Sequence, residues 1–220
     1  NRRHSAQGRR VSTPLRSELD ECGTLLRLTL DRPKGNVLDA EMISALRQEI
    51  TRARDWAPVR TLLLSGEGRH FSFGASVEEH QPQQVDDMLK GFHALFRELL
   101  DSGLVTLAAV RGQCLGGGLE LAAFCQRVFA APDAKLGQPE VKLGVFAPVA
   151  SVILPLRVGQ ANADDLLLTG RSVNAEEALR MGLVDALSDD PVQAAVDWHL
   201  EHLHGLSGAA VHFAARAARA

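Results

Sequence analysis

The sequence predicts an α/β fold, and three observations predict it. Short apolar runs alternate with longer stretches of helical periodicity, the connections are short and rich in turn formers, and two strand-to-helix junctions carry glycines. In such folds ligand sites gather at the loops that leave strand ends, so the chemistry is expected there.

Leu25 to Leu30 reads as a strand that stops at Asp31-Arg32-Pro33-Lys34-Gly35-Asn36. From Asp39, placed as a helix cap, the spacing Ile43, Leu46, Ile50, Ala53 follows a helical period. A buried strand over 59–65 ends at Gly66-Glu67-Gly68, and a second long helix puts Val85, Met88, Leu89, Phe92, Leu95, Phe96 and Leu99 on one face. A strand over 104–110 follows. The glycines at 116–118 open a short helix through Phe124, and another strand spans 127–130. After Pro148 the pattern turns mostly helical, at 160–168, 175–181, 192–204 and 207–219. Residues 17–190 are expected to form one catalytic core and 191–220 the start of a C-terminal helical region. Residues 1–16 hold Arg2, Arg3, Arg9, Arg10 and Arg16 with no acid before Glu18, and are expected to be a disordered basic tail.

Composition narrows the function. At 220 residues and 45% hydrophobic content the chain can bury a full core, and a net charge of -3 gives no reason to expect a nucleic-acid or anionic-membrane partner. Cys22, Cys114 and Cys125 form no C-x-x-C pair, which argues against a disulfide framework or a cysteine zinc site and fits a reducing cytoplasm. The longest apolar run, 145–156, holds two prolines and is too short for a bilayer core of about 30 Å. No metal is expected: His199, His202 and His204 lie on a polar helix without a carboxylate-rich loop and read as surface histidines. Nucleophile-elbow and phosphate-loop patterns are absent.

Two junctions stand out, Phe71-Ser72-Phe73-Gly74-Ala75-Ser76 and Gly112-Gln113-Cys114-Leu115-Gly116-Gly117-Gly118-Leu119-Glu120. Glycines let backbone N–H groups approach a ligand, and a helix N-terminus adds partial positive charge toward a developing oxyanion. Alone, the glycine run would mean only a tight turn, and a solitary Glu120 only a helix-dipole or ion-pair role. Glu120, however, sits in the first turn of an otherwise apolar helix, and Gly137-Gln138-Pro139-Glu140 supplies a second carboxylate. Two carboxylates in one dry site separate in pKa, so that one accepts a proton while the other donates one. Adding water to a double bond requires that division.

The three motifs F-x-x-G-A, G-x-x-x-G-G-G-x-E-L and G-Q-P-E, in this order and spacing, resemble the signatures of the enoyl-CoA hydratase/isomerase (crotonase) family over roughly residues 20–190. The resemblance implies a spiral of strand-strand-helix turns assembled as homotrimers or homohexamers, and an acyl-CoA thioester substrate with no separate cofactor. It implies that the N–H groups of Ala75 and Gly117 form the oxyanion hole and that Glu120 and Glu140 are the acid/base pair. Phe73, Gly74, Gly116 and Phe146 would line the substrate site. Lys34 falls where a basic residue approaches the coenzyme's phosphates, although a solvated loop lysine explains it equally well. Glu78, Glu79 and His80 could line the acyl pocket or simply begin a helix.

Departures from ordinary short-chain members touch the acyl pocket. Ser76 replaces the usual Asp, and Phe146-Ala147-Pro148-Val149-Ala150-Ser151 replaces a glycine-rich run. The stretches Phe71 to His80, Arg111 to Gly118 and Leu143 to Pro148 resemble members that act on cyclic dienoyl thioesters, which implies 1,4-addition of water to a flat ring. An ordinary hydratase or an isomerase are the rivals within the family, and an isomerase needs only one carboxylate. A rival of another class is a non-catalytic RNA-binding relative, for which an extended basic face or a lost carboxylate would be expected. The chain ends at Ala220, earlier than this family usually does, so its last helices are expected to be missing.

Overall fold

A computed structural model describes residues 13–76 and 85–219, with the side chain of Val85 left out. Most of the basic tail, and Glu78, Glu79 and His80, lie outside the described residues.

In chain order, β1 (Leu15–Leu19), β2 (Leu25–Leu30), α1 (Ala40–Asp55), β3 (Thr61–Gly66), α2 (Val85–Ser102) and β4 (Val105–Val110) are followed by β5 (Gln113–Leu115), α3 (Gly117–Phe124), β6 (Arg127–Ala130) and β7 (Lys135–Gly137). A 3-10 turn, Pro139–Leu143, leads to α4 (Ala150–Val158), α5 (Gln160–Thr169), β8 (Ser172–Asn174), α6 (Ala175–Arg180), β9 (Ala186–Leu187), α7 (Pro191–His202) and α8 (Gly208–Ala217).

The main sheet runs β1-β2-β3-β4-β6-β9, and all its pairings are parallel except β1 with β2. Its central strands are apolar because both faces are covered: every residue of β4 is buried. A smaller sheet, β5-β7-β8, lies alongside. Isolated bridges from Leu38 to Ala75 and from Ser72 to Cys114 bring the stretches after β2 and β3 into contact with it. Each of β2, β3, β4 and β6 is therefore followed by a stretch on this second layer and then by a helix or helical turn, which is the expected strand-strand-helix spiral.

The helices bury the faces that their spacing marks. Asp39 caps α1, accepting from Met42 N at 2.9 Å, and Ile43, Leu46, Ile50 and Ala53 are buried against the sheet. In α2, Met88, Phe92, Leu95, Phe96 and Leu99 are buried as predicted. α7 and α8 close the opposite face of the main sheet, where Ala195 and Val211 pack with Leu63, Leu107 and Phe129.

Three expectations are corrected. Strand structure begins at Leu15, so Leu15 and Arg16 belong to β1 and not to the tail. β1 is an antiparallel edge strand with only Leu15 fully buried, and such a strand lacks the continuous apolar run that marks its neighbours. α4 was hidden by Pro155, yet it forms because Ala150, Leu154 and Val158 make one buried stripe. His199 is fully buried and bridges two strands, its Nε2 3.0 Å from Thr24 Oγ1 and its Nδ1 2.8 Å from Thr61 Oγ1. The polar hydroxyls that receive it come from far earlier in the chain. Among the described residues no group of three or more His, Cys, Asp or Glu is placed to hold a metal ion, and no helix is long and apolar enough to cross a membrane.

Candidate active site

The two glycine-bearing junctions are joined by backbone hydrogen bonds. Phe71 N donates to Arg111 O at 2.9 Å, Ser72 N to Gln113 O at 3.2 Å, and Leu115 N returns to Ser72 O at 3.0 Å. Their turns are tight enough to exclude side chains. Gly74 has φ 97, and a Cβ there would stand 2.7 Å from Leu115 O and 3.1 Å from Gly117 N. A Cβ on Gly117 would in turn stand 3.2 Å from Ala75 N. The amides of Ala75 and Gly117 thus adjoin. Gly117 begins α3, where an N–H has no acceptor within its own helix.

Both carboxylates close on the same spot. Gly116 has φ 52, and a Cβ built on it would lie 2.8 Å from Glu140 Oε1, so Glu140 reaches over the residue just before the Gly117 amide. The 3-10 turn after β7 presents Glu140, and Gly116 N donating to Gly137 O at 2.9 Å fixes that turn to α3. Gln138, only 1% exposed, supports it from beneath. With its amide nitrogen turned to donate, it reaches Glu140 Oε2 at 2.9 Å, Oε1 at 3.1 Å and Gly116 O at 3.3 Å.

Glu120 rises from the first turn of α3 and is 3% exposed. Its Oε1 accepts from Ala150 N, the first amide of α4, at 2.8 Å. Burial penalises its charge and pushes its pKa up to about 7, against the opposing Ala150 hydrogen bond; the nearby Glu140 charge raises it further. Glu120 can therefore take up or release a proton near neutral pH. Paired amides accommodate a negative oxygen, and paired carboxyl groups can take up one proton and return another.

A cavity of about 470 Å³ opens beside the junctions, lined among others by Arg32, Lys34, Arg69, His70 and Phe73. Phe73 is 44% exposed and meets the His70 ring edge-on at 5.0 Å. Arg32 is paired with Asp39 and Glu41, while Lys34 stands exposed on the turn.

The structure thus gathers Gly74, Ala75, Gly116, Gly117, Glu120 and Glu140 into one centre, with Lys34 and Phe73 in the adjoining cavity. Phe146 is 73% exposed on the loop before α4, next to Val145, whose N donates to Glu140 O at 3.2 Å, and it is not among the residues that line that cavity. What the 146–151 run brings to the centre is the Ala150 amide. The sequence marks Gln138 only by its place in G-Q-P-E beside Glu140, and its supporting role depends on burial and contacts that the fold creates. The amide of Ala150 had no signal, because the start of α4 was unrecognised.

Comparison with known proteins agrees with this geometry. The family described as enoyl-CoA hydratase/isomerase matches residues 20–219. Cyclohexa-1,5-dienecarbonyl-CoA hydratase of Thauera aromatica is 56% identical over 209 residues, covering 95% of this chain and 81% of that protein. Among solved structures, an enoyl-CoA hydratase from Thermoplasma volcanium superposes with a TM-score of 0.85 at 29% identity, covering 94% of this chain and 84% of the other. One from Bacillus anthracis gives a TM-score of 0.88 at 25% identity, covering 93% and 82%. The chain belongs to the enoyl-CoA hydratase/isomerase family.

Proposed function

We propose that this protein adds water to a conjugated acyl-CoA thioester, with cyclohexa-1,5-diene-1-carbonyl-CoA as its substrate. The observation that carries this reading is the pair Glu120 and Glu140 at two adjoining amides, one carboxyl buried with a pKa of about 7. The 56% identity to the Thauera aromatica hydratase supports the cyclic substrate.

Ala75 and Gly117 N–H groups receive the thioester oxygen and make the β-carbon electrophilic. Glu120 and Glu140 hold the water between them and take its proton as oxygen attacks ring carbon C2. The displaced electron pair moves to the thioester oxygen and, through the second double bond, to C5. Protonation at C5 by the carboxyl pair leaves a C1=C6 double bond, and the net change is addition of one water. The balance contains thioester and water alone, so the step calls for no redox or group-transfer partner.

Lys34 and Arg69 line the cavity next to the amides and suit the phosphates of the coenzyme. Exposed Leu143, Phe146, Val152, Leu156 and Leu168 form apolar surface around α4 and α5, which supports self-association as a trimer or a pair of trimers. The fully buried thiols of Cys114 and Cys125 accord with a reducing cytoplasm.

The test is a panel of linear and cyclic unsaturated acyl-CoA thioesters. A site fitted to a flat ring loses packing against a linear chain, and each misfit is worth about 1–3 kcal/mol. Cyclohexa-1,5-diene-1-carbonyl-CoA should be hydrated at least about 10²-fold more efficiently than crotonyl-CoA. If crotonyl-CoA is the equal or better substrate, the cyclic assignment fails while the two-carboxylate hydratase reading stands.

A further inference from the structure

Ser72 is fully buried and touches every segment that carries the two amides. Its backbone bonds to Gln113 and Leu115 tie it to the strand leading into α3. Its hydroxyl donates to Asn36 O at 2.7 Å and accepts from Gly74 N at 3.0 Å. The start of α3 presses on it so closely that a Cβ on Gly118 would stand 2.7 Å from the Ser72 Cβ.

Asn36, 3% exposed, anchors the other end. Its backbone is left-handed, with φ 51, a region that asparagine enters more readily than other residues bearing a Cβ. Its side chain fixes the turn: Asn36 Nδ2 donates to Glu67 O at 3.1 Å and His70 O at 2.9 Å, and Oδ1 accepts from Arg32 N at 3.0 Å. They close the turn that carries Lys34, whose φ is 69, and Gly35 O in the same turn accepts from Phe73 N at 2.8 Å.

We propose that Ser72 and Asn36 are positioning residues that hold the Ala75 amide against the Gly117 amide and tie that spacing to the Lys34 turn. The peptide plane bearing Ala75 N–H begins at Gly74. It is held at Gly74 O by Leu38 N at 2.9 Å, and its preceding amide is held by the Ser72 hydroxyl. Removing that hydroxyl leaves the plane held by Leu38 alone and loosens the segment whose rotation would turn the Ala75 N–H away from the thioester oxygen. Donors in such a site act only in register, and small displacements cost large factors in rate. Seating the coenzyme beside Lys34 and aligning the carbonyl then become one event.

This inference rests on the hydratase reading, and the test separates the two. Full-length wild type, Ser72→Ala and Ser72→Cys are compared for kcat and KM with cyclohexa-1,5-diene-1-carbonyl-CoA. The carbonyl stretch of bound ¹³C-labelled benzoyl-CoA, whose aromatic ring resists hydration, is read by infrared difference spectroscopy. Ser72→Ala should lower kcat by about tenfold or more with KM within about threefold, and should diminish the carbonyl shift. Ser72→Cys is somewhat larger but keeps a weak donor and acceptor at the same position, so it should fall between the two and supply a second reading if the alanine variant does not fold. Wild-type kcat in both variants, or a reduced kcat with the carbonyl shift intact, overturns the positioning role. A wild-type protein that neither hydrates the thioester nor shifts the benzoyl-CoA carbonyl overturns the hydratase reading instead.

Discussion

Helices α3 and α4 begin differently from α1, α6, α7 and α8. The latter four are closed by a side chain next door, with Asp39, Asn174, Asp190 and Ser207 accepting from Met42, Glu177, Gln193 and Ala210. The residues that precede α3 and α4 are Gly116 and Val149, neither of which offers a side-chain cap. The first amide of α3 adjoins Ala75 N, and the first amide of α4 is taken by Glu120 from another helix. α5 also starts without a side-chain cap, at Gly159, away from these residues, so an uncapped start alone does not make a site. The difference teaches that capping spends an amide locally, whereas a site needs amides kept for a carboxylate or a ligand.

The sharpest way to break this comparison is to neutralise the carboxylates. Glu120→Gln and Glu140→Gln should each lower turnover by roughly 10²-fold or more while thioester affinity largely survives, as read by kcat and by Kd in titration. Near-normal turnover in either variant removes that residue from the mechanism.

An effect of similar size and opposite sign should appear in stability. Because the fold raises the pKa of Glu120 from 4.5 to about 7, its contribution is fully present below the unfolded value and is lost as pH climbs from about 4.5 to about 7. A glutamine does not titrate. Glu120→Gln should therefore be the more stable protein at about pH 8, by about 3 kcal/mol relative to the difference at about pH 4, measured by urea midpoints. Equal pH dependence of the two proteins would mean that the carboxyl is not desolvated as its burial implies.

The smallest effect belongs to the capped helices. Asp190→Ala removes the acceptor for Gln193 N, 3.1 Å away, and should lower stability by about 1 kcal/mol with kcat unchanged. A loss of activity there would erase the distinction between the two kinds of helix start.

Much of this was legible in the sequence where one residue type answers to one local demand. The apolar strands β2, β3, β4 and β6 announced themselves because parallel strands covered on both faces must be apolar throughout. Gly74 and Gly116 were readable because only glycine fits their positive φ so close to Leu115 O and the Glu140 carboxylate. Contacts set by tertiary placement were not readable. β1 alternates too little to betray an edge strand, Pro155 masked α4, and the Ala150 amide comes to Glu120 across 30 residues. His199 looked like a surface residue because its partners, Thr24 and Thr61, are hydroxyls on distant strands. Ser72 stands inside the F-x-x-G-A motif, but its bond to Asn36 crosses 36 residues that no local pattern connects.

The central claim is that a buried, half-protonated Glu120 at an uncapped helix start shares the water with Glu140, and the pH dependence of kcat/KM for wild type and Glu120→Gln tests it most directly. The account predicts an inflection near pH 7 in the wild type, from the carboxyl raised to about 7, and no such inflection in the residual activity of the variant. A wild-type profile that is flat from about pH 6 to about pH 8, or an inflection that persists in Glu120→Gln, would contradict it.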